Sequence, residues 1–155
     1  MSNSYKTAIH RTTPSAPLRW LDSQRVFDSI DSILDFGCGH GRDVLYLREA
    51  GKMVHGYDKY IKPWRTKSFL KYDIVLCTYV LNTIPDEIER QEIIQECRNY
   101  LVDNGRLLVT IRADKKVLQG YTTKGTWQGY VGEWCQNLGL KLLHKTSGWE
   151  IYHEG

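Results

Sequence analysis

The segment Ile33-Leu34-Asp35-Phe36-Gly37-Cys38-Gly39-His40-Gly41 restricts this chain more than any other. A short apolar run ends on an acid and passes into three glycines at alternate positions. Glycine lets the backbone bend sharply and lets a ligand approach where a Cβ would collide. Beyond it, Val44, Leu45, Leu47 and Ala50 recur at roughly helical spacing, and Gly51 supplies a stop. A helix starting there presents unpaired N–H groups toward the turn. Strand, glycine turn and helix together open an α/β unit of the kind that binds ligands above strand ends.

The rest of the chain continues this pattern. Met53 to Tyr57 reads as a second strand closing on Asp58, about twenty residues past the glycines, where a carboxylate can accept both ribose hydroxyls of a nucleoside. Tyr72 to Thr78 is the most apolar stretch and suits a central parallel strand covered on both faces. Pro85 is expected in the first turn of a helix from Asp86 to Val102, with Ile88, Ile93, Ile94, Cys97 and Leu101 as its apolar stripe. Asp103-Asn104-Gly105 then turns into a strand, Arg106 to Arg112. A helix over Thr126 to Leu138 and a β-pair, Leu140 to Lys145 with Trp149 to His153, complete the chain. The expected fold is α/β: a doubly wound, mostly parallel sheet with a C-terminal antiparallel β-pair. Only residues 59–71 separate the second strand from the one at Tyr72, so the third strand of such a sheet is expected to be absent or vestigial. Residues 1–31 are expected to form an N-terminal extension that covers the substrate. There, Pro14 and Pro17 keep the first twenty residues irregular and a short helix spans Leu21 to Ser29. Residues 32–155 form the binding domain.

Composition narrows the class. A chain of 155 residues fits one domain. No apolar run reaches the roughly 18 to 20 residues of a membrane span, and the start, Met1-Ser2-Asn3-Ser4-Tyr5-Lys6, lacks an apolar signal. A cytoplasmic protein without a membrane partner is expected. Cys38, Cys77, Cys97 and Cys135 form no Cys-x-x-Cys pair, so neither a metal site nor a disulfide framework is expected. A net charge of +3 permits a nucleic-acid partner without requiring one, and the abundance of Tyr and Trp, 10 and 5, leans toward a homo-oligomer.

Charge selects the cofactor. Dinucleotide sites place a helix N-terminus on a pyrophosphate and favour G-x-G-x-x-G spacing. Here the glycines alternate, and Asp35 would repel a pyrophosphate. A carboxylate there suits a cationic ligand end, such as the amino group and sulfonium of S-adenosylmethionine, which leaves S-adenosylhomocysteine after transfer. A nicotinamide oxidoreductase is the weaker alternative.

The segment Ile33 to Gly41 resembles the first motif of class I methyltransferases. Tyr72-Asp73-Ile74-Val75-Leu76-Cys77-Thr78-Tyr79-Val80-Leu81-Asn82-Thr83-Ile84-Pro85-Asp86 resembles their fourth-strand motif, and Gly105-Arg106-Leu107-Leu108-Val109-Thr110 their fifth strand. A narrower resemblance, to the methyltransferases associated with DNA phosphorothioation gene clusters, rests on Lys6-Thr7-Ala8-Ile9, Ser15-Ala16-Pro17, Gly56 to Tyr60, Tyr79 to Asn82 and Gly125-Thr126-Trp127-Gln128. The broader resemblance implies that Asp35, Gly37, Cys38 and Gly39 line the methionine moiety, with Gly41 shaping the turn. It implies that Asp58 holds the ribose, with Lys59 and Tyr60 beside it. Cys77, Thr78 and Tyr79 would lie beside the methyl group. With the third strand missing, adenine is expected on Tyr60, Ile61 or Trp64.

The chain lacks the Asn/Asp-Pro-Pro-Tyr/Phe motif that holds an exocyclic base nitrogen, and it lacks a Pro-Cys nucleophile. Tyr79 and Asn82 are the polar groups best placed to touch an acceptor, with His10 reaching over from the extension and Asp114 as a candidate base. The expected activity is methyl transfer to an N or O of a small or exposed acceptor, a small molecule or exposed nucleic acid. The alternatives are a catalytically silent protein that binds or sequesters the cofactor and a pure nucleic-acid module.

Overall fold

A computed structural model describes residues 13–117 and 119–155. Along the chain run α1 (Ala16–Ser23), β1 (Ser32–Phe36), α2 (Arg42–Glu49), β2 (Met53–Tyr57), β3 (Tyr72–Thr78), α3 (Glu87–Asn99) and β4 (Leu101–Arg112). They are followed by β5 (Gly120–Tyr121), β6 (Trp127–Gln128), α4 (Gly132–Asn137), β7 (Lys141–Lys145) and β8 (Trp149–Glu154). Six strands form one sheet in the order β2-β1-β3-β4-β8-β7, and β5 pairs with β6 apart from it. The first four are parallel, whereas β8 runs antiparallel to both β4 and β7. This is a doubly wound α/β sheet, and no strand lies between β2 and β3. Residues 59–71 carry only a 3-10 turn at Lys62–Trp64, which leaves β2 as an edge.

Alternation along the strands builds a core on each face. Leu34, Phe36, Val75, Cys77, Leu107 and Val109 pack toward Ile94 and Cys97 of α3 and Cys135 of α4. Ile33, Ile74, Leu76 and Leu108 pack toward Leu18 and Leu21 of α1 and Val44 and Leu47 of α2. The chain leaves β1 toward β2 on one side and later returns to β3 on the other. The C-terminal ends of β1 and β3 therefore flank the switch point where open α/β sheets bind ligands.

Several expected elements differ. Pro17 does not keep its segment irregular; it sits in the first turn of α1, where its missing N–H would have been unpaired anyway, and Ser15 caps that turn by accepting the Leu18 N–H. The helix thus starts earlier than Leu21, and Leu18, Leu21 and Phe27 share the core of α2. Pro85 precedes α3 rather than entering it, because Asp86 takes the cap by accepting the Ile88 N–H at 2.9 Å. Ile88 is consequently exposed, and Leu101 and Val102 belong to β4. Asp103 to Gly105 forms a kink inside β4, with Asn104 at φ 64° and a register shift against β3. The expected helix over Thr126–Leu138 shrinks to α4, since Trp127 and Gln128 pair with Gly120 and Tyr121 instead.

Candidate active site

At the end of β1 the glycine turn is pinned to β2: the N–H groups of Gly37 and Cys38 both donate to the Tyr57 carbonyl, at 2.7 and 3.0 Å. Asp58 closes the loop. Its Oδ2 accepts the Gly39 N–H at 2.8 Å, and its Oδ1 accepts the Tyr60 N–H at 3.0 Å. Gly41 caps α2 at φ 83°, and a Cβ there would lie 2.3 Å from the Trp64 ring. The same indole covers Gly56, so Trp64 backs the turn from behind.

Above this turn opens a cavity of about 1000 Å³. Asp35, Gly37, Cys38, Gly39, Asp58, Lys59, Tyr60, Thr78, Tyr79 and Asn82 all line it. Asp35 is 3% exposed, and burial, then the neighbouring Asp43 and Asp58, push its carboxyl well above the usual carboxylate range. A buried acid flanked by two more is a site that a cation relieves. Asp43 is held by Ser15, whose N–H and hydroxyl both donate to it at 2.7 Å, so α1 is tied to the cavity rim. The Cys38 thiol is pushed far up by burial, then by Asp35 and Asp58, and is therefore a neutral wall.

Other expected residues lie elsewhere or are engaged. Cys77 does not line the cavity; strand alternation turns it to the α3 face, where it is fully buried with Cys97 and Cys135. Ile61 and Trp64 do not line it either; of the three groups expected under adenine, only Tyr60 does, and Tyr57 joins it. Asn82 is 1% exposed and donates to Gln128 Oε1 at 2.9 Å, while its own oxygen faces the Arg112 N–H. It ties β4 and β6 together rather than standing free for an acceptor. Asn82→Ala would strand the buried Gln128 carbonyl, and a loss of about 1–3 kcal/mol is expected in urea unfolding. Asp114 makes a two-point pair with Arg112 at 2.9 and 2.8 Å, which holds its carboxyl below the usual range and makes it a weak base. His10 lies outside the described residues.

Sequence reasoning missed Arg42, Asp43, Lys67, Arg112, Lys124, Gln128 and the α3 acids Glu89, Glu92 and Glu96, all of which line the cavity. Arg42 and Asp43 directly follow the last glycine and were within reach. Gln128 falls inside the helix expected over Thr126–Leu138, and Lys124 lies just before it with no motif to mark it. Among the described residues no cluster fits a metal ion, and no helix is long and apolar enough to cross a membrane.

Residues 8–154 match the model of a methyltransferase domain. The chain belongs to that methyltransferase domain family. Its fold is the class I methyltransferase fold. The CcbJ methyltransferase from Streptomyces caelestis superposes with a TM-score of 0.65 at 13% identity, covering 98% of this chain and 94% of that one. The 1,6-didemethyltoxoflavin-N1-methyltransferase from Burkholderia thailandensis, with 1,6-didemethyltoxoflavin and S-adenosylhomocysteine bound, scores 0.62 at 12% identity, covering 97% and 80%. Magnesium protoporphyrin IX methyltransferase from Synechocystis PCC 6803, with S-adenosylhomocysteine bound, scores 0.59 at 18% identity, covering 89% and 79%. No curated protein sequence matches significantly.

Proposed function

We propose that this methyltransferase-family chain transfers a methyl group from S-adenosylmethionine to an N or O of a small or exposed acceptor. The carrying observation is the closed loop of acids and glycines: Asp58 bonded to Gly39 at 2.8 Å, next to the buried Asp35. Two features of this chain fit the cofactor. The acids around Asp35 suit a ligand with a cationic amino acid end, and the backbone of Gly37 and Gly39 lines the cavity beside them.

In this reading Asp35 holds the amino group and Asp58 the ribose hydroxyls, with Lys59, Tyr60 and Tyr57 flanking adenine. Arg42, whose buried Nε has no partner among the described residues, takes the carboxylate. Thr78 and Tyr79 flank the reacting centre; Tyr79 is held at φ 59° at the end of β3. S-adenosylmethionine supplies an electrophilic methyl group on a sulfonium. The chain's contribution is alignment and exclusion of water around that group. The attachment of Ser15 to Asp43 supports the N-terminal segment as a cover for the cavity.

The test is calorimetry with S-adenosylhomocysteine. Wild-type protein should bind it, and Asp58→Ala should weaken binding about tenfold or more, as expected for losing hydrogen bonds to a charged acceptor. Equal affinity in the variant, or no binding in the wild type, would overturn the assignment. Labelled methyl transfer to acceptors offered as small molecules and as single-stranded RNA then separates the acceptor classes.

A further inference from the structure

Besides Lys59 and Lys67, which follow β2, the cavity carries Arg42 at one end and Arg112 at another. Arg42 follows β1 and Arg112 ends β4, with β3 between them in the sheet. The cofactor brings one carboxylate, which suits Arg42. The second basic end has no such occupant.

At that end the guanidinium of Arg112 commits Nε and Nη2 to Asp114. Three of its five N–H donors remain beyond that pair. Lys124 enters from the turn between β5 and β6, and no acid pairs with it among the described residues. Thr122 and Thr123 of the same turn add hydroxyls to the wall. Asp114 is the one acid of this end among the described lining residues, and Arg112 already neutralises it. Glu89, Glu92 and Glu96 belong to the α3 wall, where Glu96 is paired with Lys67 at 2.7 Å. At this end Lys124 is the one lining cation with no acid paired to it among the described residues, while Glu89 and Glu92 stand unpaired by any base on the α3 wall.

We infer that the methyl acceptor carries an anionic group, a carboxylate or a phosphate, and that Lys124 and Arg112 bind it at the β4 end of the cavity. This rests on the methyltransferase reading for what occupies the other end. A charge-assisted hydrogen bond from Arg or Lys to a carboxylate or phosphate is about twice as strong as a neutral one, so this pair selects for charge as well as shape. Lys124 is exposed on its turn, which makes its substitution a clean probe of binding without a folding penalty.

The experiment uses the full chain saturated with S-adenosylhomocysteine and titrates four probes: benzoate, inorganic phosphate, benzyl alcohol and benzylamine. Benzoate or phosphate is expected to bind, with benzyl alcohol and benzylamine at least fivefold weaker. Lys124→Gln should weaken the anions at least fivefold, and Lys124→Glu should abolish them, while S-adenosylhomocysteine affinity stays within twofold. Benzylamine or benzyl alcohol binding as well as benzoate would overturn the inference. So would anion binding unaffected by Lys124→Gln, or no probe binding at all. If the protein ignores S-adenosylhomocysteine yet still binds benzoate through Lys124, the anion site stands and the cofactor reading falls.

Discussion

Asp35→Asn is expected to make the free protein more stable at pH 8 while weakening S-adenosylhomocysteine binding about 30-fold or more. Both effects have one cause. The Asp35 carboxyl is buried among Asp43 and Asp58, so its folded-state pKa is raised above the unfolded value. A raised carboxyl pKa contributes stability below the unfolded pKa, near 3.8 for this residue type, and loses it as pH rises through the folded pKa. Asparagine keeps the size and one acceptor oxygen without the charge, so it escapes that loss. The variant and the wild type should melt together near pH 4, and the variant should pull ahead toward pH 8. A gain of roughly 1 kcal/mol appears as about 2–4 °C in a chain of this size. The amino group of the ligand then meets a neutral amide, and losing one partner of a buried charge pair costs about 2–5 kcal/mol of binding. Binding to wild type should also release a proton where Asp35 is protonated, visible as a calorimetric enthalpy that changes with buffer ionisation heat. A variant less stable than wild type at every pH, or a gap that narrows as pH rises, would contradict this account.

The second large effect is Gly41→Ala, expected to destabilise by about 2–5 kcal/mol. Two terms add. An L-residue at φ 83° costs about 1–2 kcal/mol, and a Cβ 2.3 Å from the Trp64 ring must displace a packed indole, at about 1–3 kcal/mol. Gly51→Ala separates them. Gly51 has φ 86° but nothing within 4 Å of a built Cβ, so that variant carries the backbone term alone. The difference between the two urea midpoints measures the Trp64 contact. Combining Gly41→Ala with Trp64→Leu should cost less than the sum of the single changes, because the smaller side chain yields the space. Strict additivity would mean that Trp64 does not wedge the turn.

Much of this fold is legible in the sequence. The span Met53 to Tyr57 and the span Tyr72 to Thr78 coincide with β2 and β3, because mainly apolar stretches between polar loops leave little choice of boundary. The short stretch between Asp58 and Tyr72 excluded a strand and helix on length alone, and the sheet indeed ends at β2. Reading failed where two local signals competed. Thr126 to Leu138 has helical spacing, yet Trp127 and Gln128 are drawn into a two-residue β ladder and into the Asn82 bond. Pro17 carries a breaker signal in the sequence, although a proline in a first turn loses no hydrogen bond.

By itself, the order of residues determined the alternation of strands and helices, the glycine turn and the two acids that bracket it, because these depend on neighbours a few positions away. Only the tertiary structure decided which side of each strand meets the cavity. It sent Cys77 into the α3 core and left Thr78 at the rim, a choice made by register against β1 and β4. It also brought Arg42, Arg112 and Lys124 to one chamber from three distant segments. Long-range placement of that kind follows from packing two helical layers on one sheet, and no local pattern encodes it.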